Sequence, residues 1–164
     1  MKTILYLSLG SNIGNREANI HEAVQRLKEF GAVLDVSSFY ETEPVEVERQ
    51  QAWFLNCAVK METEFSAENF LTKMLAIEQA MGRKRLEPKG PRIIDIDIVF
   101  FGNSVHDTPE LTVPHPAMQH RLFVLEPLTE IAPYVKHPLL KLTVLELLRA
   151  LPPNSGAVRK FHSN

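Results

Sequence analysis

The sequence is poor in several things, and each shortage narrows what it can do. Its single cysteine, Cys57, rules out an intramolecular disulfide and argues against a cysteine-based metal site. No apolar run is long enough to cross a bilayer. Neither charge dominates: 18 Lys and Arg stand against 20 Asp and Glu, a net charge of −2, which disfavours general nucleic-acid binding. The first apolar stretch is broken early by Gly10-Ser11-Asn12, so no signal-peptide pattern is present and a cytoplasmic location is expected. Internal repeats and low-complexity segments are absent. So are the G-x-x-x-x-G-K-[ST] phosphate loop, the protein-kinase signature set and the G-x-S-x-G nucleophile elbow. His21, His106, His120, His137 and His162 show no metal-ligand spacing.

What is present fits one globular domain over residues 1–164, with 45% hydrophobic residues and length enough for a proper core. Its most informative stretch is Gly90-Pro91-Arg92-Ile93-Ile94-Asp95-Ile96-Asp97-Ile98-Val99-Phe100-Phe101-Gly102. Residues 94–101 read as a strand of period two. Ile94, Ile96, Ile98 and Phe100 fall on one face and Asp95 and Asp97 on the other. Side chains two apart on a strand stand roughly 6.5–7 Å apart. Two carboxylates that close repel unless a cation sits between them, and Mg²⁺ takes one or two carboxylates plus substrate phosphates. The competing reading is a solvated acidic edge.

The rest of the chain supplies a frame. Residues 3–9 form a strand with Leu5, Leu7 and Leu9 on one side and Tyr6 and Ser8 on the other. The following loop, 10–15, is either a plain turn or a close backbone approach to a ligand. A helix over 18–30 carries the stripe Ile20, Ala23, Val24 and Leu27, and a strand follows over 33–40. Residues 41–51 make a long polar loop, of a kind often functional. Residues 54–63 form a strand with Phe54 and Asn56 on one face and Leu55, Cys57, Val59 and Met61 on the other. Ser66 is the candidate N-cap of a helix over 67–81. The order strand, helix, strand, strand, helix, strand predicts an α+β fold with a ferredoxin-like βαββαβ core, its antiparallel sheet bearing helices on one face. The open face would carry Tyr6, Ser8, Phe54, Asn56, Asp95 and Asp97. A C-terminal helical addition follows, with one helix around 123–126 bent at Pro127, another over 143–151, and a frayed tail.

Between the second helix and the aspartate strand, residues 82–92 hold five cations in eleven positions: Arg83, Lys84, Arg85, Lys89 and Arg92. A lone charge run is usually a solvated loop. Beside a carboxylate pair it also matches phosphoryl transfer, where cations and Mg²⁺ neutralise the polyphosphate while the protein positions the groups. His115, between Pro114 and Pro116, cannot sit mid-helix and is either a site residue or an ordinary loop histidine.

Together, Gly10-Ser11-Asn12, Phe39-Tyr40-Glu41-Thr42-Glu43-Pro44, Phe54-Leu55-Asn56, Gly90-Pro91-Arg92-Ile93-Ile94-Asp95-Ile96-Asp97 and Leu111-Thr112-Val113-Pro114-His115-Pro116 through Arg121 and Phe123 resemble the 6-hydroxymethyl-7,8-dihydropterin pyrophosphokinase family, from about residue 3 to residue 135. The resemblance implies Mg²⁺-dependent transfer of the β,γ-pyrophosphoryl group of ATP to the pterin hydroxymethyl group, giving AMP and the pterin diphosphate, a step towards folate. It implies that Asp95 and Asp97 hold two Mg²⁺ ions and that Arg83, Arg85 and Arg92 face the ATP phosphates. Glu78, Ile98, Thr112, His115 and Arg121 would complete the nucleotide site. Thr42, Pro44, Val45, Phe54, Asn56 and Phe123 would form the pterin pocket, with Phe123 otherwise simply core of its own helix. ATP and the pterin are then the partners, with no nucleic acid, no membrane and a monomer rather than an obligate oligomer. Lys89 departs from an aromatic residue common before Gly-Pro-Arg, and Phe54 from a common tyrosine. Two rivals remain. A nucleotidyltransferase would need Ser11 near the aspartates in sequence, and an RNA-binding module would not put two aspartates on its open sheet.

Overall fold

The computed structural model describes residues 1–42, 53–82 and 92–162. In chain order its elements are β1 (Thr3–Ser11), α1 (Arg16–Leu27), β2 (Ala32–Val36), β3 (Tyr40–Thr42), β4 (Phe54–Thr63) and α2 (Ala67–Ala80). Then come β5 (Asp95–Phe101), β6 (His106–Asp107), β7 (Thr112–Val113), α3 (Leu122–Ile131), α4 (Val144–Arg149) and β8 (Val158–Lys160). The main sheet runs β5-β1-β4-β3-β8, with β2 also against β4, and its pairings are antiparallel. The molecule is thus an α+β protein built on an antiparallel sheet.

Local chemistry sets the helix starts. The Asn15 side chain accepts from Ala18 N, Ser66 from Asn69 N, and Thr143 forms a capping box with Glu146. α1 ends at Leu27, short of residue 30, because the N–H groups of Lys28, Glu29 and Phe30 bond back three residues, to Gln25, Arg26 and Leu27, tightening the last turn. Pro127 lies inside α3.

One face of the sheet carries the main core. Leu5, Leu7 and Leu9, then Leu55, Cys57, Val59 and Met61, then Ile94, Ile96 and Ile98 pack against Ile20, Ala23 and Leu27 of α1 and Phe70, Met74 and Ile77 of α2. Truncating one such leucine to alanine costs about 2–5 kcal/mol. Burial pushes the Cys57 thiol up to about 12, so it packs as a small apolar group.

Three expectations need correction. The strand over 33–40 is two strands, because side chains interrupt the ladder. Ala58 N donates to Ser37 Oγ (2.8 Å), and Ser38 N and Oγ both donate to Glu130 Oε2 (2.7 and 3.2 Å). Phe100 does not share the isoleucine face. The register shifts between Tyr6 opposite Phe100 and Leu7 opposite Ile98, leaving Val99 as the extra residue of a β-bulge. Phe100 therefore meets Tyr6 edge-on at 6.4 Å on the second face, while Phe101 returns to the main core. The tail is not frayed over residues 158–160, which form edge strand β8 against β3.

The second face, expected open, is half covered. Val124, Leu125 and Leu128 of α3 and Val144 and Leu147 of α4 pack on Tyr6, Ala58, Val99 and Phe100. Tyr6 is therefore core, not site. Beyond the edge of α3 the remaining half carries Asp95, Asp97, Asn56, Phe54 and Thr42.

Candidate active site

Strand register assembles this half-face. Asp95 stands opposite Gly10, Gly10 opposite Asn56, and Asn56 opposite Tyr40; one step along, Thr42 stands opposite Phe54. Directly paired residues point to the same side, so a carboxylate and an amide flank a glycine across three strands. A Cβ on Gly10 would lie 2.6 Å from Asn56 Nδ2 and 3.4 Å from Phe54 Cδ1. Gly10 thus ends a strand rather than making a free turn, and its missing side chain is the space the Asn56 amide occupies.

Asn56 is buried and partly committed. Its Oδ1 accepts from Thr42 Oγ1 and its Nδ2 donates to Leu9 O (3.3 Å). A second lone pair and a second N–H remain for hydrogen bonding. Phe54 and Phe123 are half-buried, and the Arg121 guanidinium carbon lies 5.5 Å from the centre of the Phe123 ring. Phe123 also packs against the second core, as its reading as core of its own helix expects.

Asn12 pins the entry to β5. Its N–H donates to Arg92 O (3.0 Å), and its Oδ1 accepts from Arg92 N (2.7 Å). From that anchored backbone the Arg92 Nη1 reaches Asp95 Oδ2 at 3.4 Å. Glu78, 3% exposed, turns inward, and its Oε2 accepts from Ile96 N (2.8 Å), fixing the strand between the two aspartates. The position of Glu78, four residues after Met74 and eight after Phe70, already puts it on the buried stripe of α2.

Next to Asp97 lies an open cleft of about 200 Å³ lined by Ile98, Thr112 and His115 with Leu71, Met74 and Leu111 among others. The bulge at Val99 helps build it, since Val99 O accepts from His115 N (3.1 Å). His115 Nδ1 accepts from Ala117 N (3.3 Å), which leaves Nε2 as the N–H of a neutral ring. Burial first, then the Arg121 charge, pulls the His115 pKa down to about 4, with Asp95 pulling the other way.

The structure therefore brings Asp97, Ile98, Thr112 and His115 into one cleft, with Asp95, Arg92 and Arg121 adjoining it, and groups Thr42, Phe54 and Asn56 beside Gly10. Pro44, Val45, Arg83, Arg85 and Lys89 lie outside the described residues. Among the described residues no group of three or more His, Cys, Asp or Glu could by itself hold a metal. The pair of carboxylates on one face nonetheless fits Mg²⁺, whose remaining ligands are ordinarily phosphate oxygens and water.

The chain is similar to known proteins. A family model described as 7,8-dihydro-6-hydroxymethylpterin-pyrophosphokinase (HPPK) matches residues 6–133. The 2-amino-4-hydroxy-6-hydroxymethyldihydropteridine pyrophosphokinase of Bacillus subtilis is 43% identical over 166 residues, covering 99% of each chain. The folic acid synthesis protein fol1 of Schizosaccharomyces pombe is 43% identical over 98% of this chain, which spans only 22% of that relative's length. A crystal structure of wild-type Plasmodium falciparum HPPK-DHPS with SDX-DHP superposes with a TM-score of 0.73 at 18% identity, over 91% of this chain and 44% of that one. With most of its length matched by the family model and a full-length relative at this identity, the chain belongs to the 7,8-dihydro-6-hydroxymethylpterin-pyrophosphokinase family.

Proposed function

We propose that this protein transfers the β,γ-pyrophosphoryl group of ATP to the hydroxymethyl group of 6-hydroxymethyl-7,8-dihydropterin, releasing AMP, in folate biosynthesis. One observation carries the reading. The row Asp95, Gly10, Asn56 sets a carboxylate and a hydrogen-bonding amide, with Phe54 beside it, on one sheet face, and the cleft at Asp97 opens along β5 at the edge of that sheet. The pterin hydroxyl oxygen would bond to the β-phosphorus while the bond from that phosphorus to the α,β-bridging oxygen breaks. AMP leaves with the bridging oxygen, and the hydroxyl proton passes to solvent.

Asp95 and Asp97 are the residues we assign to two Mg²⁺ ions, which when bound neutralise the polyphosphate and lower the pKa of the attacking hydroxyl. Arg92, with Arg83 and Arg85, would hold the phosphates; Ile98, Thr112, His115 and Arg121 would hold the nucleotide, His115 as a neutral Nε2 donor. Glu78 keeps the strand between the aspartates in place. Thr42, Pro44, Val45, Phe54 and Asn56 would receive the pterin, with Phe123 on its other side. Asn56 would read the heterocycle's edge with the lone pair and N–H that Thr42 and Leu9 leave it.

The strand order, with α1 and α2 as its crossovers, supports a ferredoxin-like core carrying α3 and α4 as a C-terminal addition. We read residues 1–164 as one such domain, acting as a cytoplasmic monomer with no nucleic-acid or membrane partner. No helix among the described residues is long and apolar enough to cross a membrane.

Product analysis with ATP, Mg²⁺ and the pterin tests the assignment. AMP is the expected product, and Asp97→Asn should cut its rate at least about a hundredfold while leaving the melting temperature within a few degrees. ADP as product would mean a simple kinase, and no turnover a binding module. A folded Asp97→Asn variant with near-normal rate would remove the metal assignment.

A further inference from the structure

Behind the pocket, on the α1 side of the sheet, lies an ion cluster that the proposed chemistry does not use. Arg16 opens α1. Its Nη2 donates to Glu41 Oε2 (2.9 Å) and its Nη1 to the backbone oxygen of Trp53 (2.9 Å). The other carboxylate oxygen, Glu41 Oε1, accepts from Arg159 Nε of β8 (3.1 Å). The Arg159 guanidinium carbon lies 4.8 Å from the centre of the Trp53 ring, and that of Arg16 lies 5.7 Å from the Phe161 ring. Glu41 and Arg16 are largely shielded, at 17% and 23% side-chain exposure, so water screens the pair weakly. Burial alone would raise the Glu41 pKa. The hydrogen bonds from Arg16 and Arg159 outweigh it and hold the carboxyl below its ordinary value.

The placement of this cluster is what matters. The last described pair of β3 with β4 is Thr42 opposite Phe54. Glu41 precedes Thr42, and Trp53 precedes Phe54. Side chains alternate along a strand, so Thr42 and Phe54 face the pocket while Glu41 points behind the sheet. One guanidinium therefore grips both strands from the rear, beside the pair of Thr42 and Phe54. The planar fork of arginine suits this, because it reaches two acceptors at once in fixed geometry, as a lysine ammonium does not.

We propose that Arg16, braced by Glu41 and Arg159, is a positioning residue for the pterin pocket, holding the strands that carry Thr42 and Phe54. This rests on the functional reading above. It leaves the phosphate side untouched, since Asp95, Asp97 and His115 are held from β1, α2 and the bulge.

Steady-state kinetics with both substrates separate this role from a general structural one. Arg16→Met should raise the KM for the pterin about tenfold while the KM for ATP stays within about twofold. Arg16→Lys, which keeps the charge but lacks the rigid fork, should raise the pterin KM by a smaller factor. Adding Glu41→Gln to Arg16→Met should cost little more than Arg16→Met alone, because the two act as a unit. An unchanged pterin KM in a folded variant overturns the proposal. So does a loss of pterin and ATP affinity in step with the melting temperature. Should Arg16→Met fail to fold, Arg16→Lys and Glu41→Gln carry the same test, and an unchanged pterin KM in both overturns it. A wild-type protein that forms no AMP overturns the functional reading itself, whereas normal turnover with an indifferent Arg16 overturns only the positioning role.

Discussion

His115 shows how a single side chain records its surroundings. The unfolded ring takes a proton near pH 6.5, but the folded ring, buried and facing Arg121, resists until about pH 4. Between those values the unfolded state binds more protons, so stability present above pH 6.5 is lost as the pH falls towards 4. The melting temperature should therefore drop between pH 7 and 4.5, and His115→Gln should lessen that drop by about 2 °C or more. His137, also lowered by burial, leaves part of the drop in place. Equal drops in both proteins would mean that His115 is not held neutral by the fold. At this scale the sequence is legible where backbone geometry alone decides. Asp95 with Asp97, and Phe54 with Asn56, share a face because a strand alternates. It is illegible where a partner far along the chain decides. Nothing near Glu78 announces a bond to Ile96 N, and nothing near Gly10 announces the Asn56 amide that needs its space.

The elements are bound to one another by few but well-placed polar groups. Glu130 of α3 accepts from Tyr40 Oη (2.6 Å) as well as from Ser38 N and Oγ, tying the helix to the sheet beside the break between β2 and β3. Burial first, then Glu130 and the charge of Glu126, raise the Tyr40 pKa, so the hydroxyl stays a donor at any ordinary pH. Tyr40→Phe should cost about 1.5–3 kcal/mol, the range for a hydrogen bond to a charged acceptor, read as a lowered denaturant midpoint with unchanged slope. A midpoint that does not move would make the tie incidental. Helix starts are legible here because Asn15, Ser66 and Thr143 cap locally. The bulge at Val99 is not, since an extra residue in a run of β-formers leaves the hydrophobic pattern intact until the partner strand fixes the register. The cover that α3 and α4 give the second face is likewise a tertiary fact; their apolar stripes say that something is buried, not against which surface.

Across the molecule, β8 is the least expected piece. Its three residues look like tail in the sequence, and only pairing with β3, the Arg159–Glu41 bond and the packing of Phe161 on the main core make it a strand. Deleting residues 158–164 should lower the melting temperature by about 3–12 °C. Burying one phenylalanine is worth about 1.5–3 kcal/mol, and each kcal/mol shifts a domain of this size by about 2–4 °C. An unchanged melting temperature would mean that the strand adds nothing to stability. Its position also has a bearing on the order of events during synthesis. Arg92 joins Asn12 across 80 residues, and Arg159 joins Glu41 across 118. Contacts of such separation form slowly, because the intervening chain must close before they repay its entropy. A chain emerging from the ribosome can complete the aspartate strand and its glycine row while Glu41 still lacks its second arginine. The half of the face beside Asp95 and Asp97 is ready first, and the half beside Thr42 and Phe54 is braced only when β8 arrives.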